Sequence, residues 1–98
     1  MTWIKTIPLH QADEKLTKAI IGQQHLYPAE YRTPVESLAH VQTPMDGPGI
    51  LMAHSLIPEA LHHAFAAFGC LMSPDLPLSR RHHEMIAATV SSLNSCFY

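Results

Sequence analysis

The stretch SRRHHEMIAATVSSLNSCFY, residues 79–98, decides how this chain is read. Ser79 can cap a helix N-terminus by accepting a hydrogen bond from a free backbone N–H of the first turn. Pro77, just upstream, disfavours helical backbone on that side. Ile86, Val90 and Leu93 then recur at spacings of four and three, which draws one apolar stripe along a helix. Met85 and Ala88 widen that stripe. Arg80, Arg81 and His82 fall in the first turn, where cations oppose the helix dipole. Asn94 and Ser95 suit a C-terminal break, and Ser95 is also a plausible cap for a second helix opened by Cys96. A cysteine in the first turn of a helix faces the positive end of its dipole, which favours the thiolate.

Two residues of this stretch carry chemistry. Glu84 stands twelve residues before Cys96. The two can meet only if a second helix folds back on the first, and a carboxylate beside a thiol can relay its proton. Spacing alone reads Glu84 first as a solvated acid on the helix surface, and it leaves Cys96 open between a reactive thiol and a small apolar core residue.

The same residues carry a family resemblance. Leu78-Ser79-Arg80-Arg81, Glu84-Met85-Ile86-Ala87, Ser91 to Leu93, and Asn94-Ser95-Cys96-Phe97-Tyr98 resemble the alkylhydroperoxidase D-like, or carboxymuconolactone decarboxylase-like, family, and within it the peroxidase-related subgroup. Members carry a glutamate, a C-x-x-C twelve residues later, and a histidine four residues beyond the second cysteine. Glu84 and Cys96 match the first two positions. The second cysteine would fall at position 99 and the histidine at position 103. Tyr98 stands where some members have a histidine. The resemblance is tight over residues 79–98 and loose over the rest.

What the resemblance implies is an all-α helical bundle of the alkylhydroperoxidase D-like type, incomplete here, with residues 1–98 forming the N-terminal part of a longer domain. It implies reduction of an organic hydroperoxide by a dithiol couple, with Cys96 as the resolving, more exposed cysteine and Glu84 in a proton relay. It implies an external thiol or dithiol reductant, no organic cofactor, and assembly as a homo-oligomer. By this reading the 98-residue chain alone has no turnover. Two other readings stay open: a helical oligomerisation module or truncated remnant without catalysis, and an enzyme of the lactone decarboxylase branch.

Composition bounds the rest. Ninety-eight residues suffice for one domain. Apolar residues make up 47% of the chain and charged residues only 14%, against about 25% charged in typical soluble domains. The excess is read as surface for a partner subunit or for the remainder of the domain. No run approaches the ~18 apolar residues of a membrane span, and a net charge of −2 leaves no basic footprint for nucleic acid. Met1 to Lys5 begin no signal peptide, so two cysteines point to a reducing cytoplasm. A Cys70–Cys96 disulfide is arithmetically allowed but disfavoured there.

Along the chain, a first helix is expected over residues 12–24, with Asp13 and Glu14 in its first turn, Glu14 and Lys18 paired at i,i+4, and Leu16 and Ile20 as its apolar edge. Thr33-Pro34-Val35-Glu36 reads as a capping box starting a short helix to Ala39 or Val41. Residues 43–49 form a turn without the lysine of a phosphate-binding loop. Ile50 to Ser55 resume helix, and Pro58 opens another from Glu59 to Met72. There Leu61, Phe65, Phe68 and Met72 line one face, Ala64, Ala66 and Ala67 would admit a neighbouring helix, Gly69 weakens the last turn, and Cys70 is core. Eight histidines are scattered, and neither doublet can chelate as an i,i+4 pair. His83-Glu84 fails the H-E-x-x-H pattern at Ala87, so no metal is expected, and no G-x-S-x-G elbow occurs.

Overall fold

A computed structural model describes residues 3–40 and 47–96, with the side chain of residue 38 left out. The fold is all-α: the described residues form four helices, α1 (Glu14–Gln24), α2 (Gly49–Met52), α3 (Pro58–Leu71) and α4 (Arg80–Leu93), with short 3-10 turns at Leu9–Gln11, Ala29–Arg32 and Glu36–Leu38. No strand occurs among the described residues.

α1 and α3 form the centre, and theirs is the principal helix–helix contact. In α1, Leu16, Ala19, Ile20 and Gln23 are buried, a stripe of one-turn spacings that a 3.6-residue period places on one side. They close against Met52 of α2 and Leu61 of α3, with Ile7, Ala12, Leu51 and Phe65 packed around them. Asp13 is the N-cap of α1 rather than a first-turn residue; its carboxylate accepts from the Leu16 N–H at 2.8 Å. Glu14 and Lys18 pair at 2.9 Å, as the spacing anticipates. Two buried polar side chains are tied to backbone: the Ser55 hydroxyl accepts from the Ile7 N–H at 2.7 Å, and the Gln23 amide donates to the Ile20 carbonyl at 2.8 Å. The first of these bonds pins the N-terminal segment onto the turn after α2.

Several expectations need correction. Thr33 starts no helix. It is the C-cap of the preceding 3-10 turn, and its hydroxyl donates to the Ala29 carbonyl at 3.2 Å, so the oxygen wanted for a new cap already serves the turn behind it. Only the short turn Glu36–Leu38 follows; Val41 lies outside the described residues, as do residues 43–46 of the anticipated turn. Gly47, at φ 98, does take the left-handed backbone a turn glycine suits.

In α3, Ala64 and Ala67 are exposed and Ala66 is half-buried, so the three alanines do not together form its contact face. The close approach is at Gly69, where an added Cβ would stand 2.6 Å from the Leu26 Cβ and 3.3 Å from Tyr27 Cδ1. Cys70, one residue on, is exposed and free: Leu61, Gly69 and Met72 face inward, and at about 100° per residue the neighbour of an inward Gly69 turns outward. The expected helix over Ile50 to Ser55 is a single turn ending at Met52, followed by further turns.

α4 begins and ends as anticipated but packs differently. Ser79 caps it, accepting from the His82 N–H, and the His82 ring completes a capping box toward the Ser79 N–H. The buried residue of this helix is His83, 4% exposed, while Met85, Ile86, Val90 and Leu93 are exposed by 56, 54, 52 and 80%. The apolar stripe faces away from the core. A Cα radius of gyration of 14.5 Å, against about 12.6 Å for a compact chain of this length, agrees with a helix standing off the centre.

Candidate functional site

The site predicted from sequence lies along and just beyond α4. Glu84 sits one turn into the helix, half-exposed, and accepts from Arg80 Nη2 across an i,i+4 pair. Arg80 also lies over the Tyr31 ring, its Cζ 4.9 Å from the centroid, so one guanidinium ties the start of α4 to the Ala29–Arg32 turn through a cation–π contact and holds the Glu84 carboxylate at the same time. Its charge is favoured first by Tyr31 and then, against a burial penalty, by Glu84.

Cys96 is exposed and free. Its backbone closes the end of α4: Asn94 is the C-cap, Ser95 adopts φ 54, the Ser95 N–H donates to the Ser92 carbonyl at 3.1 Å, and the Cys96 N–H donates to the Ser91 carbonyl at 2.9 Å. This pair of reversed bonds around a left-handed residue is a Schellman closure. Ser95 therefore acts as the last turn of α4, and Cys96 sits at the negative end of that helix dipole. The second helix that Cys96 was expected to open, beginning with Phe97 and Tyr98, lies outside the described residues.

Within the described residues Glu84 and Cys96 are not brought together. Glu84 to Leu93 alone spans about 13 Å of helix axis, and the carboxylate is held by Arg80 on the side away from Cys96. Cys70 and Cys96 are unpaired, and the described residues contain no group of three or more His, Cys, Asp or Glu side chains that could hold a metal ion. The His62 and His63 rings stand edge to face at 5.3 Å.

An apolar cavity lies elsewhere. It measures about 610 Å³ and lies between α1, the Ala29–Arg32 turn, α2 and α3, with a wall that is overwhelmingly apolar. Tyr27 and Phe68 form part of that wall and stack edge to face at 5.5 Å, and Tyr27 stands edge to face with Tyr31 at 6.1 Å. Burial, then Tyr31, pushes the Tyr27 phenol above its ordinary 10.0. Sequence reading passed over this aromatic group; its signal was two tyrosines four apart on either side of Pro28, followed by Arg32.

No protein-family model matches the chain, and neither a curated protein nor a solved structure matches it. No helix among the described residues is long and apolar enough to cross a membrane.

Proposed function

We propose that this chain is part of a thiol-dependent peroxidase-like enzyme that reduces organic hydroperoxides, with Cys96 as one sulfur of a dithiol couple. The observation that carries the reading is the pattern from Leu78 to Tyr98, with its glutamate–cysteine spacing of twelve. The capped helix α4, its exposed Glu84 and the exposed Cys96 just past its end are compatible with it.

The chemistry runs in three steps. The thiolate of the second cysteine, placed by the resemblance three positions after Cys96, attacks the terminal oxygen of ROOH; the O–O bond breaks, the alkoxide leaves as ROH after gaining a proton, and the sulfur becomes a sulfenic acid. The Cys96 thiolate then attacks that sulfur, forming a disulfide and displacing hydroxide, which takes up the proton that the Cys96 thiol gave up and leaves as water. An external dithiol restores both thiols by exchange and is itself oxidised. Glu84 would move the proton between thiol and solvent, directly or through water. For that it must leave or share its pairing with Arg80, an exposed ion pair worth at most about 1 kcal/mol.

Only Cys96 of the couple lies within the 98 residues, so the isolated chain is expected to show no sustained consumption of cumene hydroperoxide with dithiothreitol as reductant. Catalytic turnover by this chain would refute the assignment. So would a reading frame continuing past codon 98 without a cysteine at 99 and a histidine at 103.

One observation favours a second reading, a helical assembly module without catalysis: the uncovered stripe Met85, Ile86, Val90 and Leu93. An apolar face of this length on a lone helix suits burial against another helix. Homo-oligomers detected by sedimentation, together with a frame lacking the second cysteine, would select it.

A further inference from the structure

We propose that the cavity between α1 and α3 is a binding site for a small monocarboxylate with an apolar body, its carboxylate held at the rim by Arg32. This site is independent of the redox reading, because none of its described lining residues comes from α4.

The size and wall of the cavity set the body of the ligand. About 610 Å³ falls within the range of about 300–1,000 Å³ seen for small-molecule sites, which are mostly apolar with a few polar groups fixing orientation. Ile20, Leu51, Tyr27, Phe65 and Phe68 supply the wall. The Tyr27 hydroxyl is enclosed without a hydrogen-bond partner, and its surroundings hold it in the neutral form, so that side of the cavity offers no charge to a ligand. A charged group deep in this wall would be stranded without compensation.

Arg32 sets the head group. Among the described lining residues it is the one that carries a charge, it is exposed, and it has no acidic partner among the described residues. The neighbouring arginine, Arg80, is already engaged by Glu84 and Tyr31. A guanidinium presents a planar fork of donors that matches a carboxylate. An apolar chain or ring lying along Phe65 and Phe68 with its carboxylate at the rim satisfies both parts of the site, whereas an ammonium head would be repelled by Arg32.

The test uses the full 98-residue chain and titration calorimetry with octanoate and 1-octanol as probes. Octanoate is expected to bind saturably with a Kd of about 1 mM or tighter. Arg32→Gln should weaken octanoate about 3- to 5-fold, the strength of an exposed ion pair, and leave octanol unchanged. Ile50→Trp, at an exposed lining position, should fill the mouth and weaken both probes. Absence of saturable octanoate binding, an equal effect of Arg32→Gln on both probes, or no effect of Ile50→Trp would each overturn the proposal.

Discussion

Replacing Gly69 by alanine should destabilise this protein, although the same change inside a helix ordinarily stabilises it. Glycine costs roughly 1 kcal/mol relative to alanine in a helix interior, so Gly→Ala at an open helical site gains about that much. At Gly69 the new Cβ would meet the Leu26 Cβ at 2.6 Å and the Leu26 carbonyl carbon at 3.4 Å. A Cβ attached to backbone cannot swing aside, so the α3 backbone must move away from the turn after α1. Overpacking of this kind costs about 1–3 kcal/mol, and the net expectation is a loss of about 1 kcal/mol. Gly22 supplies the internal control. There the nearest atoms are His62 Cε1 and Nδ1 at 3.2 and 3.3 Å, the far end of a side chain that can rotate, so Gly22→Ala should gain about 0.5–1 kcal/mol. Urea titrations of the two variants beside the parent decide the matter. With a shift of about 4–8 °C per kcal/mol for a domain of this size, melting temperatures should move in opposite directions. If Gly69→Ala is as stable as the parent or more so, the close approach of Leu26 is not what sets the spacing of α1 and α3.

Two further outcomes can be checked with the same measurements. Leu61 is fully buried and Leu93 is 80% exposed, so Leu61→Ala should cost about 2–5 kcal/mol and Leu93→Ala no more than about 0.5; a large, concentration-dependent cost at Leu93 would mean that the α4 stripe is covered in solution. The Tyr27 phenol lies above 10.0 in the folded chain, chiefly through burial, and near 10.0 in the unfolded one. Its contribution is therefore complete below pH 10 and disappears as pH climbs through the folded value. Tyr27→Phe should flatten the alkaline decline in stability, and an unchanged decline would remove Tyr27 as its source.

The helices that sequence made legible are the three longest, α1, α3 and α4, each announced by apolar residues at one-turn spacing and by a start signal: Asp13 and Glu14 for α1, Pro58 for α3 and Ser79 for α4. α1 shows Leu16 and Ile20 at one-turn spacing, and α4 shows Ser79 at one end and Asn94 at the other. The cap at Thr33 misled because capping motifs are local, and whether a hydroxyl serves the turn before it or the helix after it depends on which backbone reaches it first. Cys70 misled because a run of apolar neighbours hides the 100° step between successive residues; the inward direction was set by Gly69, which has no side chain to announce it. The same holds for the stripe on α4: periodicity says that one side of a helix is apolar, and nothing in it says what that side meets. Glu84 and Cys96 were named from spacing and resemblance, while Tyr31 and Arg80, nearly fifty residues apart in sequence, meet only through the fold.

The detachment of α4 from the α1–α3 pair has a consequence for how the molecule comes apart. A helix that buries one of its residues, His83, and meets the Ala29–Arg32 turn through the Arg80–Tyr31 contact should add little to the cooperative melting of the rest. Its amide hydrogens should exchange with solvent through a cheap partial opening, while those of Leu16 to Ile20 wait for the whole chain to unfold. Hydrogen exchange should therefore report two stabilities, one for the central pair and a smaller one for the helix that leads to Cys96.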